Sequence, residues 1–303
     1  RLLRSCSGWS AVSWWSIWLR GLAMGAADAV PGVSGGTVAF LTGIYERWLT
    51  VLTLITPALW TVFRQQGIKG LWVRLDGGFV VPLVVGILMA LITVSHWIKD
   101  WLDTVPERVW GFFFGLVIAM GIALLSDLRA SMRAKDWAWL GVGIIIALIL
   151  GLQTPQSADP ELWVWPFAGA MALSAMLLPG ISGSFLLLLT GLYPALIGAV
   201  SDFDLTILAL FISGGAFGIL SMAHVLKALL ARYHTEVLSA LTGVVFGALV
   251  RVWPWQGAAD DGALLLLVPS SEMFWIPFAC GVFGYLLASL ALTFSAQKGP
   301  SIR

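Results

Sequence analysis

The chain has 303 residues, 59% of them hydrophobic and 11% charged, with 17 Trp and a formal net charge of +1. A soluble domain carries roughly 25% charged residues, so this composition points to an integral membrane protein, and the near-zero net charge excludes a nucleic-acid partner. Cys6 and Cys280 lie far apart, Cys280 inside an expected span, so neither a disulfide nor a metal site is expected, and no cofactor.

In chain order, residues 1–19 combine Arg1 and Arg4 with Trp9, Trp14, Trp15 and Trp18. No small-residue cleavage site follows, so they are read as an amphipathic segment lying in the membrane interface. Residues 20–48 form a helical hairpin broken at Ala29-Val-Pro-Gly-Val-Ser-Gly-Gly-Thr37. Pro31 disfavours helix at Val30 and has no amide hydrogen, while Gly32, Gly35 and Gly36 allow angles other residues avoid. Residues 49–68, with Pro57, are expected to pack on the membrane surface. Spans are expected at 79–97, 109–126 and 137–153, about 20 apolar residues being needed to cross. A second hairpin occupies 163–200, followed by spans at 205–226, 237–250 and 274–294, with 253–272 as a loop.

The two halves repeat. Residues 31–45 and 179–193 share Pro, Gly, Ser, Gly, Leu, Thr, Gly and Tyr at eight of fifteen aligned positions. Gly86, His96, Lys99 and Gly115 align with Gly214, His224, Lys227 and Gly243 at an offset of 128, against 148 for the hairpins. The difference of 20 is the extra stretch in the first half. Loops rich in Lys and Arg mark the cytoplasmic side. Segments 64–74, 129–135 and 227–234 are basic, whereas 159–161, 202–204 and 260–272 are acidic. That pattern is consistent only if each hairpin enters and leaves on one side. The expected fold is therefore all-α and membrane-embedded: two inverted-topology repeats, each a re-entrant helix hairpin plus three transmembrane helices. Paired interruptions at matching places point to a transporter's binding site.

Each interruption precedes a helix whose first amides lack helical partners and carry about half a positive charge. Ser34, Gly35, Gly36 and Thr37, with Ser182, Gly183 and Ser184, are thus candidate donors to an anion. An ordinary kink in two spans, with Ser and Thr as caps, is the competing reading. Asp28 is a carboxylate inside an apolar run, with Met176 at its counterpart; it could bind a proton or sodium ion for coupling, or cap the tip amides. Arg20 and Arg47 are candidates to meet an anionic headgroup, and positive-inside anchoring explains them equally well. Glu46 and Arg47 read as a surface pair, Tyr45 and Tyr193 as interface anchors, and His96 and His224 as interfacial packing. Thr42 and Thr190 read as hydrogen-bonding between helices.

Gly25-Ala-Ala-Asp-Ala-Val-Pro-Gly-Val-Ser-Gly-Gly-Thr37 and Leu178-Pro-Gly-Ile-Ser-Gly-Ser184 resemble the signature of the bacterial PopT family, formerly domain of unknown function 368. The resemblance covers nearly the whole chain. It implies a flippase in the cytoplasmic membrane that returns undecaprenyl phosphate, or a similar polyprenyl phosphate, from the outer to the inner leaflet. It also implies membrane lipid as the surrounding partner and no enzymatic activity. Two alternatives stand beside it. Membrane polyprenyl-diphosphate phosphatases share a Pro-Gly-x-Ser-Arg-Ser tip, but Gly35 and Gly183 stand at the Arg position here and no nucleophile–base pair accompanies them. A channel or carrier for a small anion fits the tips as well.

Overall fold

The computed structural model describes residues 13–28, 34–153, 160–258 and 264–296. The first Pro-Gly turn, most of the N-terminal segment, Cys6 and the acidic residues Asp159, Asp260 and Asp261 lie outside the described residues. The chain is almost entirely helical. The first half comprises α1 (Trp14–Asp28), α2 (Gly35–Leu41), α3 (Tyr45–Leu54), α4 (Ala58–Arg74), α5 (Gly77–Thr104), α6 (Pro106–Arg129) and α7 (Ala134–Gly151). The second comprises α8 (Val164–Ala175), α9 (Gly183–Leu189), α10 (Tyr193–Ser201), α11 (Leu205–Arg232), α12 (His234–Gly247) and α13 (Ser271–Ala296). Among the described residues α6, α7, α11 and Met273–Leu290 of α13 are each long and apolar enough to cross a membrane. Their surfaces carry exposed Ile145, Ile149, Ile212, Phe217 and Leu286, as expected where lipid is the solvent.

Several boundaries differ from expectation. Trp14 to Leu19 belongs to α1 and continues directly into the first limb of the hairpin. Residues 49–54 are the end of α3, with Leu49, Val51 and Leu52 buried, so only the remainder of the 49–68 stretch is separate from the core. That remainder opens α4, which exposes Trp60, Ile68 and Val73 and bends by 65° into α5. The expected loop at 253–272 holds an antiparallel pair, β1 (Gln256–Ala258) and β2 (Leu264–Leu266), with Gln256 opposite Leu266.

The second limbs, expected as continuous helices over 37–48 and 185–200, are both broken, and by the same device. Gly43 and Gly191 adopt φ of 69° and 74°. The Ile44 amide donates to the Ala39 carbonyl and the Gly43 amide to Phe40; Leu192 and Gly191 repeat this on Leu187 and Leu188. This is a Schellman stop, in which a left-handed glycine lets two amides fold back onto orphan carbonyls. The stop turns α10 by 114° from α9. The seven-residue α2 and α9 rise about 10 Å each, and the twelve-residue α8 about 18 Å. All fall short of the ~30 Å hydrocarbon thickness.

Long helices pair through small residues. α1 runs along α5 and α8 along α11; α6 runs along α13 and α7 along α12. A Cβ on Gly21 would run into the Leu83 carbonyl, and one on Gly169 into the Phe211 carbonyl. At the other two seams, Gly115 faces the Gly281 carbonyl and Gly243 the Leu140 carbonyl. With no hydrophobic drive between helices in lipid, this backbone approach supplies the packing.

Gly115→Leu and Gly243→Leu are expected to destabilise the fold by about 1–3 kcal/mol each through overpacking. Gly141→Leu, which meets open space, is the control. Thermal unfolding in detergent should lower the melting temperature of the first two variants and leave the third unchanged.

Candidate functional site: the junction of the two interruptions

After α8 ends at Ala175, the backbone runs irregularly from Met176 to Ser182 before α9 begins. Gly180 adopts φ of 83° and presses on Val245 of α12, where a Cβ would come within 3.0 Å of the Val245 Cα. Such a stretch exposes carbonyls and amides that lipid cannot satisfy. The first interruption satisfies them. Ser34 Oγ lies 3.4 Å from the carbonyl oxygens of both Met176 and Leu178. The Tyr45 hydroxyl donates to the Leu177 carbonyl at 2.9 Å, and the Gly180 amide donates to Thr37 Oγ1 at 2.9 Å. Ser34, Thr37 and Tyr45 are 0%, 1% and 3% exposed, so these bonds are made away from water.

The two short helices that follow the interruptions are capped differently. At α2 the three first amides all have acceptors: Gly35 donates to Asp28 Oδ1 at 2.6 Å, Gly36 to Ser34 Oγ at 3.1 Å, and Thr37 to the Ser34 carbonyl at 2.9 Å. At α9 the cap is Ser182, whose hydroxyl bonds Ser184 Oγ at 2.8 Å and no backbone amide. No described group accepts from the amides of Gly183, Ser184 or Phe185. Two residues make the difference: Asp28 ends α1 whereas Met176 follows α8, and Ser34 caps its helix with the hydroxyl that Ser182 turns to Ser184.

A cleft opens beside α9, lined by Gly151, Gly180, Ser182, Phe185 and Arg251. Arg251 follows a 3₁₀ turn (Ala248–Val250) that ends α12, and its guanidinium lies 4.7 Å over the Phe185 ring. Among the described residues no carboxylate pairs with it. Sequence reading missed Arg251. The available signal was a lone arginine at the end of an apolar span, on the side otherwise marked by acidic loops.

Of the residues expected at the site, Ser34, Gly35, Gly36 and Thr37 meet the second interruption, Asp28 caps α2, and Ser182, Gly183 and Ser184 start α9. Arg20 and Arg47 lie within electrostatic reach of each other. Three expectations are corrected. Arg47 pairs with Asp76 at 2.6 Å and lies over the Phe79 ring, while Glu46 faces His234 at 4.0 Å; adjacent residues on a helix point apart, so the two cannot pair with each other. Tyr45 is buried and serves the second interruption instead of an interface. Thr42 and Thr190 bond the Val38 and Leu186 carbonyls of their own helices, which also accept the backbone amides of the same threonines. The exposed ring of His224 bonds the Leu220 carbonyl one turn back on its own helix.

Several apolar helices around a buried polar junction mark a multi-pass membrane protein. Residues 24–262 match the VCA0040-like family, described as undecaprenyl phosphate translocase-like, and the chain belongs to that family. It is 42% identical over 241 residues to a polyprenyl-phosphate transporter of Vibrio cholerae serotype O1, covering 80% of this chain and 78% of that one. It is 30% identical over 258 residues to a polyprenyl-phosphate transporter of Staphylococcus aureus, covering 79% and 86%. No solved structure matches the chain.

Tyr45→Phe and Thr37→Val each remove one partner of a buried backbone group, and each is expected to destabilise by about 1–3 kcal/mol. Thr42→Val, which touches only its own helix, should cost about 0.5 kcal/mol or less. Denaturant unfolding in mixed micelles separates the three; equal stability of all three would refute the junction's role.

Proposed function

We propose that this chain returns undecaprenyl phosphate, or a similar polyprenyl monophosphate, from the outer to the inner leaflet of the bacterial cytoplasmic membrane for reuse in cell-wall synthesis. The observation that carries this reading is the open start of α9: three amides without acceptors among the described residues, next to a half-buried guanidinium. The printed names of the relatives supply the ligand class. A phosphate crossing bare hydrocarbon is prohibitively unfavourable, and helix-start amides can replace part of its water. The isoprenoid tail stays in lipid while the head crosses.

The packing supports two inverted repeats. Exchanging α1 with α8, α5 with α11, α6 with α12 and α7 with α13 turns the α1–α5 pair into α8–α11, and the α6–α13 pair into α7–α12. A two-fold relation between halves produces that exchange. If α5 and the shorter α12 join α6, α7, α11 and α13 as spans, each half has three and the second half is inverted; α1–α2 and α8–α9 are then re-entrant hairpins entering from opposite faces. In this reading α9 is the open half of the site. α2 is the closed half, its anion position filled by the Asp28 carboxylate, and alternating access exchanges the two. Protonation or sodium binding at Asp28 would release Gly35 to the phosphate and couple transport to an ion gradient.

Transport is favoured over hydrolysis because Ser182 bonds Ser184 and not a base, and Gly35 and Gly183 stand where phosphatase tips carry Arg. The test is translocation of a fluorescent polyprenyl phosphate in proteoliposomes. Ser34→Leu and Ser182→Leu should fall to the protein-free rate, and wild-type rates in both would reject the site. Asp28→Asn should flatten the dependence on pH or sodium. Release of inorganic phosphate by the wild-type protein would restore the phosphatase reading.

A further inference from the structure

We infer that Arg251 is the side chain that first receives the phosphomonoester headgroup at the second interruption. The inference rests on the transport reading above and names the recognising group. Three observations carry it. First, the guanidinium is half-buried at the end of α12 and has no carboxylate partner among the described residues, whereas Arg47 is neutralised by Asp76. A guanidinium taken partly out of water is stabilised by an anion beside it, and a phosphate headgroup entering the cleft can supply one.

Second, what holds Arg251 in place is the face of Phe185. A cation–π contact orients the guanidinium without using its N–H donors. The fork that binds phosphate oxygens two at a time is thus left available. Third, the same cleft contains Ser182, whose hydroxyl is bonded only to Ser184, and its remaining wall includes Leu150 and Leu186. Cation and hydroxyl face a headgroup, and the aliphatic wall suits the first carbons of a hydrocarbon chain. The cleft has room for about one water molecule, so it must widen to admit a phosphate.

The experiment measures binding of farnesyl phosphate to the purified full chain in nanodiscs, with farnesol and inorganic phosphate as parallel ligands. Arg251→Gln should weaken farnesyl phosphate about ten-fold or more, the loss expected for a charge-assisted contact. Arg251→Lys keeps the charge but not the fork, and should bind several-fold more weakly than wild type. Farnesol binding should not change in either variant. Wild-type affinity in Arg251→Lys and Arg251→Gln overturns the assignment, and Arg251→Lys alone suffices if the Gln variant does not fold. Inorganic phosphate binding as tightly as farnesyl phosphate, with the same dependence on Arg251, overturns it in favour of a free-anion site. Translocation assays separate the two readings. Normal wild-type transport that Arg251→Gln leaves unimpaired removes Arg251 and keeps the flippase. Arg251-dependent binding without any wild-type transport removes the flippase and keeps the site.

Discussion

Everything at the centre of this protein depends on hydroxyl groups of one half completing the hydrogen bonding of the other half's backbone. Ser34, Thr37 and Tyr45 reach Met176, Leu177, Leu178 and Gly180 across a dry interior. Without them the break after α8 would strand carbonyls and an amide in a medium that offers no water. Neither interruption is therefore a self-contained motif. The break after α8 is completed by side chains of the first half.

The arrangement is not symmetric. Asp28 and Met176 occupy matching places, so the Gly35 amide of α2 has a carboxylate acceptor while the Gly183 amide of α9 has none among the described residues. An aspartate thus stands at the start of α2 and an arginine beside the start of α9.

Much of the fold was legible. Composition gave the membrane, and the repeated Pro-Gly-x-Ser-Gly gave the paired breaks and the residues that meet there. The Leu-Thr-Gly-x-Tyr tail was seen as part of the repeat but not as a helix stop, although its glycine fits the left-handed position of a Schellman cap. What sequence could not give depends on which surfaces face each other. Tyr45 looks like an interfacial anchor until its hydroxyl is placed on Leu177, a residue of the other half. Arg251 has no motif around it; only the fold brings it over Phe185. Glu46 and Arg47 are neighbours in the chain, yet their partners His234 and Asp76 come from elsewhere.

The matched glycines at the ends of α2 and α9 have a broader consequence. Residues 183–200 are apolar enough for a hydropathy profile to draw them as one uninterrupted rod. The left-handed geometry of Gly191 turns them by 114° instead. Greasiness alone thus decides which solvent this segment prefers, while the chirality of a single backbone position decides the route it takes. Restoring handedness there, with any side chain that resists positive φ, would press the segment to straighten without altering its hydrophobicity.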